Sequence, residues 1–245
     1  MEWSDDAIVL AVRLHGETSA IVEALTREHG RHAGLVRGGA SRRVRALLQP
    51  GNTLRAQWRA RLSDHLGNFS IELAVARAGE IMDSRTALAG LNAFTSVVSA
   101  ALPERETHAP VYAAAELLLD AIAHQDFVHW APLYVRWEAG LLHELGFGLD
   151  LSQCAATGTL DDLVYVSPKS GRAVSRAAGE IYRARLFALP GFLLGSQNAS
   201  PTMAEIAAGL QLTEHFLVAR VLEPNARPLP AARHRLSALA LGESE

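Results

Sequence analysis

Between Leu54 and Leu62 the chain alternates without a break: Leu54, Ala56, Trp58, Ala60 and Leu62 are apolar, and Arg55, Gln57, Arg59 and Arg61 are polar. A period of two excludes a helix, whose apolar positions recur every three or four residues. It makes this stretch a strand with one face on a core and three guanidinium groups in a row on the other. Similar signals surround it. In residues 7–14, Ile8, Leu10, Val12 and Leu14 share a face, His15-Gly16 offers a turn, and a second strand follows at 19–26. A third, at about 31–37, lies among Gly30, Gly34 and the breaker Gly38-Gly39, and residues 40–48 suit a helix. Gln49-Pro50-Gly51-Asn52 is a strong turn signal before the alternating strand. After a polar loop at 63–68, Phe69, Ile71, Leu73 and Val75 line one face of a last strand. Five strands with a helix between the third and fourth form the pattern of an OB-fold, a partly open Greek-key barrel that often binds oligonucleotides.

The same region carries an unusual charge. Residues 27–61 hold nine arginines and one acidic residue, Glu28, in a chain of formal net charge -3. Residues 1–61 hold ten basic and six acidic groups, and residues 62–245 hold thirteen and twenty. That asymmetry suggests a basic module that meets nucleic acid or another anionic surface, joined to a module with another task. Like charges so close repel unless an anion meets them, so the candidates for phosphate contact are Arg31, Arg37, Arg42, Arg43, Arg45, Arg55, Arg59 and Arg61. Of 23 basic residues 22 are arginine; this suits bidentate phosphate contacts, though a GC-rich genome gives the same bias. His29 and His32 read as ordinary loop polars that could add charge at low pH. Trp3, Trp58 and Phe69 are the aromatic residues of the first 80, and the alternation places Trp58 and Phe69 in the core. Backbone contact should therefore dominate, with little sequence preference and with both single- and double-stranded DNA bound.

From Ser84 the sequence turns alanine- and leucine-rich. Helices are expected at 86–102, 110–124 and 132–145, with Pro110 and Pro132 in first turns and Gly146 as a C-terminal cap. A Gly/Ser/Asp-rich excursion at 151–173 interrupts them. Further helices are expected at 175–187 and 201–222, the latter opened by a Thr202/Glu205 capping box. Pro224, Pro228 and Pro230 suggest an irregular tail running to an acidic end. The expected fold class is α+β and multi-domain, with an OB-fold at 1–80 and an α-helical domain at 81–245. A hydrophobic content of 49% against 20% charged residues predicts a chain folded throughout. No apolar run approaches the roughly 20 residues of a bilayer span, and the acidic start lacks the basic region of a secretory signal. The expectation is a cytoplasmic protein with no membrane partner.

Catalytic signals are poor. There is no P-loop, HExxH, GxSxG or paired-cysteine spacing. His124, Asp126 and His129 read better as a solvated junction than as metal ligands, and Ser167 and Lys169 near Asp161 and Asp162 match no nucleophile motif. The lone Cys154 forms neither an internal disulfide nor a four-cysteine zinc cage. No enzyme activity and no cofactor are expected. Arg136, among apolar neighbours, suits an anchor for a partner's carboxylate in a helical groove.

Several ordered motifs resemble one family. IVLAVRLHGET, TREHGRHAGLVRGGASR and LLQP, within residues 7–50, are similar to the N-terminal part of RecO, a family of bacterial recombination mediators and DNA-annealing proteins. YVRWEAGLLHELGFGLDLSQC and VSPKSGRAVS resemble later segments of the same family, and the similarity weakens after about Leu194. The resemblance implies an OB-fold that binds DNA, followed by a helical domain. It also implies strand annealing without ATP, binding of the C-terminal tail of single-stranded DNA-binding protein, and joint action with RecR in loading RecA. Some members carry a four-cysteine zinc site in the excursion. Here Cys154 stands alone in its first position, so the loop is expected to hold by its own packing without zinc. The competing reading is a protein-protein adaptor whose basic patch meets acidic peptide tails; a metal-dependent nuclease is disfavoured because no acidic cluster lies near the basic surface.

Overall fold

The computed structural model describes residues 1–62, 64–195 and 201–242. The chain forms two compact units, Met1–His124 and Gln125–Glu245.

The first unit begins with a closed five-stranded barrel, ordered β1-β2-β3-β5-β4, an OB-like ring. Its strands are β1 (Glu2–His15), β2 (Ser19–Thr26), β3 (Gly30–Val36), β4 (Thr53–Arg59) and β5 (Asn68–Val75), with α1 (Arg42–Leu47) between β3 and β4. β1 is long enough to serve two partners. Its first residues pair with β4, from Glu2↔Arg59 to Ile8↔Thr53, and its later ones pair with β2, from Ala7↔Thr26 to His15↔Ser19. An irregularity between Val9 and Ala11 bends it at the changeover. Closure between β3 and β5 rests on the single parallel pair Leu35↔Asn68. Gly34 is required near that seam, because a Cβ there would lie 2.4 Å from the Phe69 ring. The core contains Val9, Val22, Ala24, Val36, Leu54, Ala56, Trp58 and Phe69, so Trp58 and Phe69 are core residues as the alternation requires.

Two parts of the alternation end early. β4 ends at Arg59, opposite Glu2 of β1; Ala60 N–H still donates to the Met1 carbonyl (3.0 Å), but Leu62, expected on the core, is 53% exposed. In β5, Phe69 is buried and Ile71 packs against the core, but Leu73 and Val75 are exposed. Beyond Asn68, β5 is paired with β4 alone.

Three helices complete this unit: α2 (Ala78–Met82), α3 (Arg85–Ala101) and α4 (Ala109–His124). Ser84 caps α3 by accepting from Ala87 N–H. The buried Arg77 ties them to the barrel: its guanidinium donates to Thr53 Oγ1 (2.7 Å) and pairs with Asp120, while Asn52 Oδ1 accepts from the Arg77 and Ala78 amides.

The second unit starts with α5 (Phe127–Glu144), with Asp126 at the N-cap position but no side-chain cap bond from it. Pro132 is its sixth residue, rather than lying in its first turn, and there it can give no N–H to the Val128 carbonyl. The excursion is partly ordered. β6 (Leu163–Val166), β7 (Ala173–Ser175) and β8 (Phe187–Ala188) form a small sheet ordered β7-β6-β8. The helix expected at 175–187 is short: α6 (Arg176–Gly179) passes into a 3-10 turn, Glu180–Arg185, and then into β8. Gly179 lies where a Cβ would meet the Tyr165 ring at 2.5 Å, and the residues after the turn extend along β6. α7 (Met203–Phe216) opens on the Thr202/Glu205 capping box and continues as a π-helical turn, Leu217–Leu222. The tail is not irregular throughout: α8 (Ala231–Leu241) follows Pro230 and buries Arg233, which donates to Glu138 on α5 at 2.6 and 2.9 Å. The acidic end, at 243–245, lies outside the described residues.

Candidate nucleic-acid interface

α1 is built to turn its charges outward. Ser41 caps it, accepting from Val44 N–H. Val44 and Leu47 pack on the barrel core and Leu48 is buried, so Arg42, Arg43 and Arg45, with Ala46, face solvent. Gln49 Nε2 donates to the Arg45 carbonyl and Asn52 Nδ2 to that of Leu47, closing the helix end. Arg37 is exposed at the end of β3, and Ala40 N–H donates to the Thr18 carbonyl (3.1 Å), fixing the β1–β2 hairpin beside the segment. That hairpin carries the exposed Arg13. Among the described residues, no carboxylate lies within ion-pair distance of Arg13, Arg37, Arg42, Arg43, Arg45 or Arg61. This is uncompensated positive charge at high exposure. Arg13 was missed because it precedes the arginine-dense stretch; only the hairpin's pairing reveals its place.

The β4 arginines differ. Arg55 (68% exposed) stands opposite Asp6 of β1 and Glu72 of β5 in the ladder and lies 3.9 Å from the Asp6 carboxylate. Arg59 (74% exposed) makes a forked contact with Glu2, 2.7 and 2.8 Å from its two oxygens. These surface pairs stabilise by only about 0–1 kcal/mol, so an arriving phosphate can compete for the guanidinium groups. Arg61 lies beyond the strand and is exposed. Arg31 is unlike the rest. It is 9% exposed, donates to the Leu102 carbonyl (3.0 Å) and Glu23 (2.7 Å), and lies 3.5 Å from Glu104. Its donors are directed inward.

In the second unit, Arg136 projects from α5 and donates twice to the Phe192 carbonyl, at 3.0 and 2.7 Å. It lines a cleft of about 460 Å³ with Ala139, His143, Leu149, Leu151 and Leu193. One guanidinium beside His143, among walls otherwise mostly apolar, suits a short peptide ending in a carboxylate.

The buried Cys154 sulfur accepts from Ser175 N–H (3.3 Å) and Oγ–H (3.4 Å). Burial pushes the thiol up, but these bonds, with others from Thr157 and Ala156, outweigh it and bring the pKa down to about 6. Backbone bonds from Cys154 to Thr159 and from Ala155 to Ala173 hold the segment to its sheet. Among the described residues no group of three or more His, Cys, Asp or Glu is placed to hold a metal. His124 instead sits 3.0 Å from Glu80. No helix among the described residues is long and apolar enough to cross a membrane.

Residues 1–77 match the family described as recombination protein O N terminal, and residues 82–228 match recombination protein O C terminal. The chain is similar to the DNA repair protein RecO of Phenylobacterium zucineum, 55% identical over 95% of each chain. It is similar also to that of Rhodospirillum rubrum, 50% identical over 96% of this chain and 94% of the relative. With the RecO of Methylorubrum extorquens it shares 51% identity over the full length of both. A basic OB-like barrel followed by a helical region, matched end to end at this identity, leaves one conclusion: the chain belongs to the RecO family of DNA repair and recombination proteins.

Proposed function

We propose that the protein is a non-catalytic recombination mediator that binds the phosphates of two DNA strands and so lets complementary bases pair without ATP. The observation that carries this is the set Arg37, Arg42, Arg43 and Arg45, without an ion-pair partner among the described residues, with Arg13 on the adjoining β1–β2 hairpin. Phosphates bound there release counterions and lose much of their mutual repulsion. Arg55, Arg59 and Arg61 extend the track at a lower gain, since two of them must first leave a carboxylate. Arg31 holds the barrel and is not one of the contacts. DNA of either strandedness is bound chiefly through its backbone.

The Arg136 cleft supplies the partner site: it takes the C-terminal carboxylate of the tail of single-stranded DNA-binding protein. From that position the protein works in the cytoplasm with RecR to load RecA on coated DNA. The test is annealing of complementary oligonucleotides by the purified protein, without partners or nucleotide. Accelerated annealing that R42A/R43A/R45A abolishes supports the proposal. Failure to anneal, with binding of acidic peptides instead, would make the protein an adaptor.

A further inference from the structure

Where β1 begins, three rings are stacked. Trp3 lies flat against His29, with centroids 4.2 Å apart and planes 8° apart, and against Trp58, at 5.6 Å and 16°. The ladder explains the second contact, since Trp3 and Trp58 are cross-strand partners. Asp5 explains the first. Its buried carboxylate accepts from Glu28 N–H (2.7 Å) and sits 3.1 Å from His29 Nδ1, holding the β2–β3 turn so that the imidazole lies on the indole. His32 stands edge-on to both Trp3 and Trp58.

These rings line a cleft of about 500 Å³ together with Arg105 and Thr107. Arg105 has a left-handed backbone (φ 63°), a costly state for arginine. It is pinned there by its N–H bond to the Arg31 carbonyl (2.8 Å) and by guanidinium bonds to the Asp64 and His65 carbonyls. His32 lines the cleft and is 4% exposed; neither ring nitrogen makes a well-formed hydrogen bond among the described residues, the His29 backbone being its one weak polar contact. Burial, and then the charges of Arg105 and His29, lower its pKa to about 4, so at neutral pH it offers one donor and one acceptor. The cleft carries two carboxylates, Glu2 and Glu28, against the one guanidinium of Arg105. A phosphate gains nothing there. A flat, neutral group with polar edges gains stacking, a guanidinium neighbour and a partner for a buried imidazole.

We propose that this cleft receives one unstacked base of a single DNA strand, stacked against the His29–Trp3 rings, with the Arg105 guanidinium as a neighbour and its edge towards His32. The inference rests on the reading that the barrel binds DNA. It adds a base contact to a phosphate track, and with it a preference for single strands over duplex, whose bases are paired and stacked.

The experiment compares a labelled oligothymidylate with an abasic oligonucleotide of equal length, so that phosphates match and only bases differ. Anisotropy titrations are run on the wild type, Trp3→Ala and His29→Ala, with tryptophan fluorescence followed in parallel. The wild type should bind the base-bearing strand about tenfold more tightly, with quenching that saturates at the same DNA concentration. His29→Ala, which removes a ring 35% exposed and need not disturb the core, should cut the difference to about twofold while keeping the salt dependence. Equal, salt-dependent binding of both oligonucleotides by the wild type would overturn the base site and leave the phosphate track standing. Salt-independent or absent binding of both would overturn the track and the base site together.

Discussion

Arg31 and Arg45 stand in the same basic stretch yet serve different ends. Arg45 is exposed on α1, and Arg31 is closed in by Glu23, Glu104 and the Leu102 carbonyl. Removing Arg31 leaves Glu23 with one partner fewer and a carbonyl unsatisfied, so Arg31→Ala should cost about 2–3 kcal/mol of stability, read as a lower urea midpoint. Arg45→Ala should leave that midpoint unchanged and weaken DNA binding. The distinction was not legible in the sequence, because Leu102 and Glu104 come from more than 70 residues further along the chain. His32 carries a second prediction. Its folded pKa, about 4, lies below the ordinary 6.5, so below pH 6.5 the unfolded chain takes up a proton that the folded one refuses. Stability should be unaffected by this group above pH 6.5 and should fall between pH 6.5 and 4, by up to about 3 kcal/mol. In thermal melts His32→Phe should lose less stability than the wild type over that interval. An identical loss in both would remove His32 from the account.

Elements were legible where one period ran long enough to be read. β1, β4 and β5 follow alternations of several residues, β2 and β3 were marked by the turn and glycine breakers around them, and the core positions of Leu54, Ala56 and Trp58 came with the alternation. β6, β7 and β8 span four, three and two residues, too short for any period to show. α8 hid behind the prolines that precede it, and its anchor is a long-range pair: Arg233 on α8 with Glu138 on α5, both fully buried and joined by Thr213. Breaking such a pair leaves a buried charge alone. Arg233→Ala should therefore cost about 3–5 kcal/mol, shown by a lowered melting temperature, and without that loss the pair would not be what holds α8. The outward face of β4 was legible as a row of arginines; that Glu2 and Asp6 face it across β1 was not, since register fixes those pairs and composition does not.

At the scale of the molecule, a chain of net charge -3 carries ten basic and six acidic groups in its first 61 residues. The fold sorts them further. Acidic residues of β1 balance Arg55 and Arg59, while α1 and its neighbours are left bare. The central claim is that this bare set holds DNA phosphate. It is tested most directly by the affinity of labelled single-stranded DNA across a salt series, for the wild type, R42A/R43A/R45A and R55A/R59A. With about four or five phosphates held, log affinity against log salt should slope near -3. The α1 substitutions should flatten it by about 2 and the β4 pair by less than about 1.4, from a value of about 0.7 per phosphate. A slope that the α1 substitutions leave unchanged would contradict the account, since DNA would then be held elsewhere.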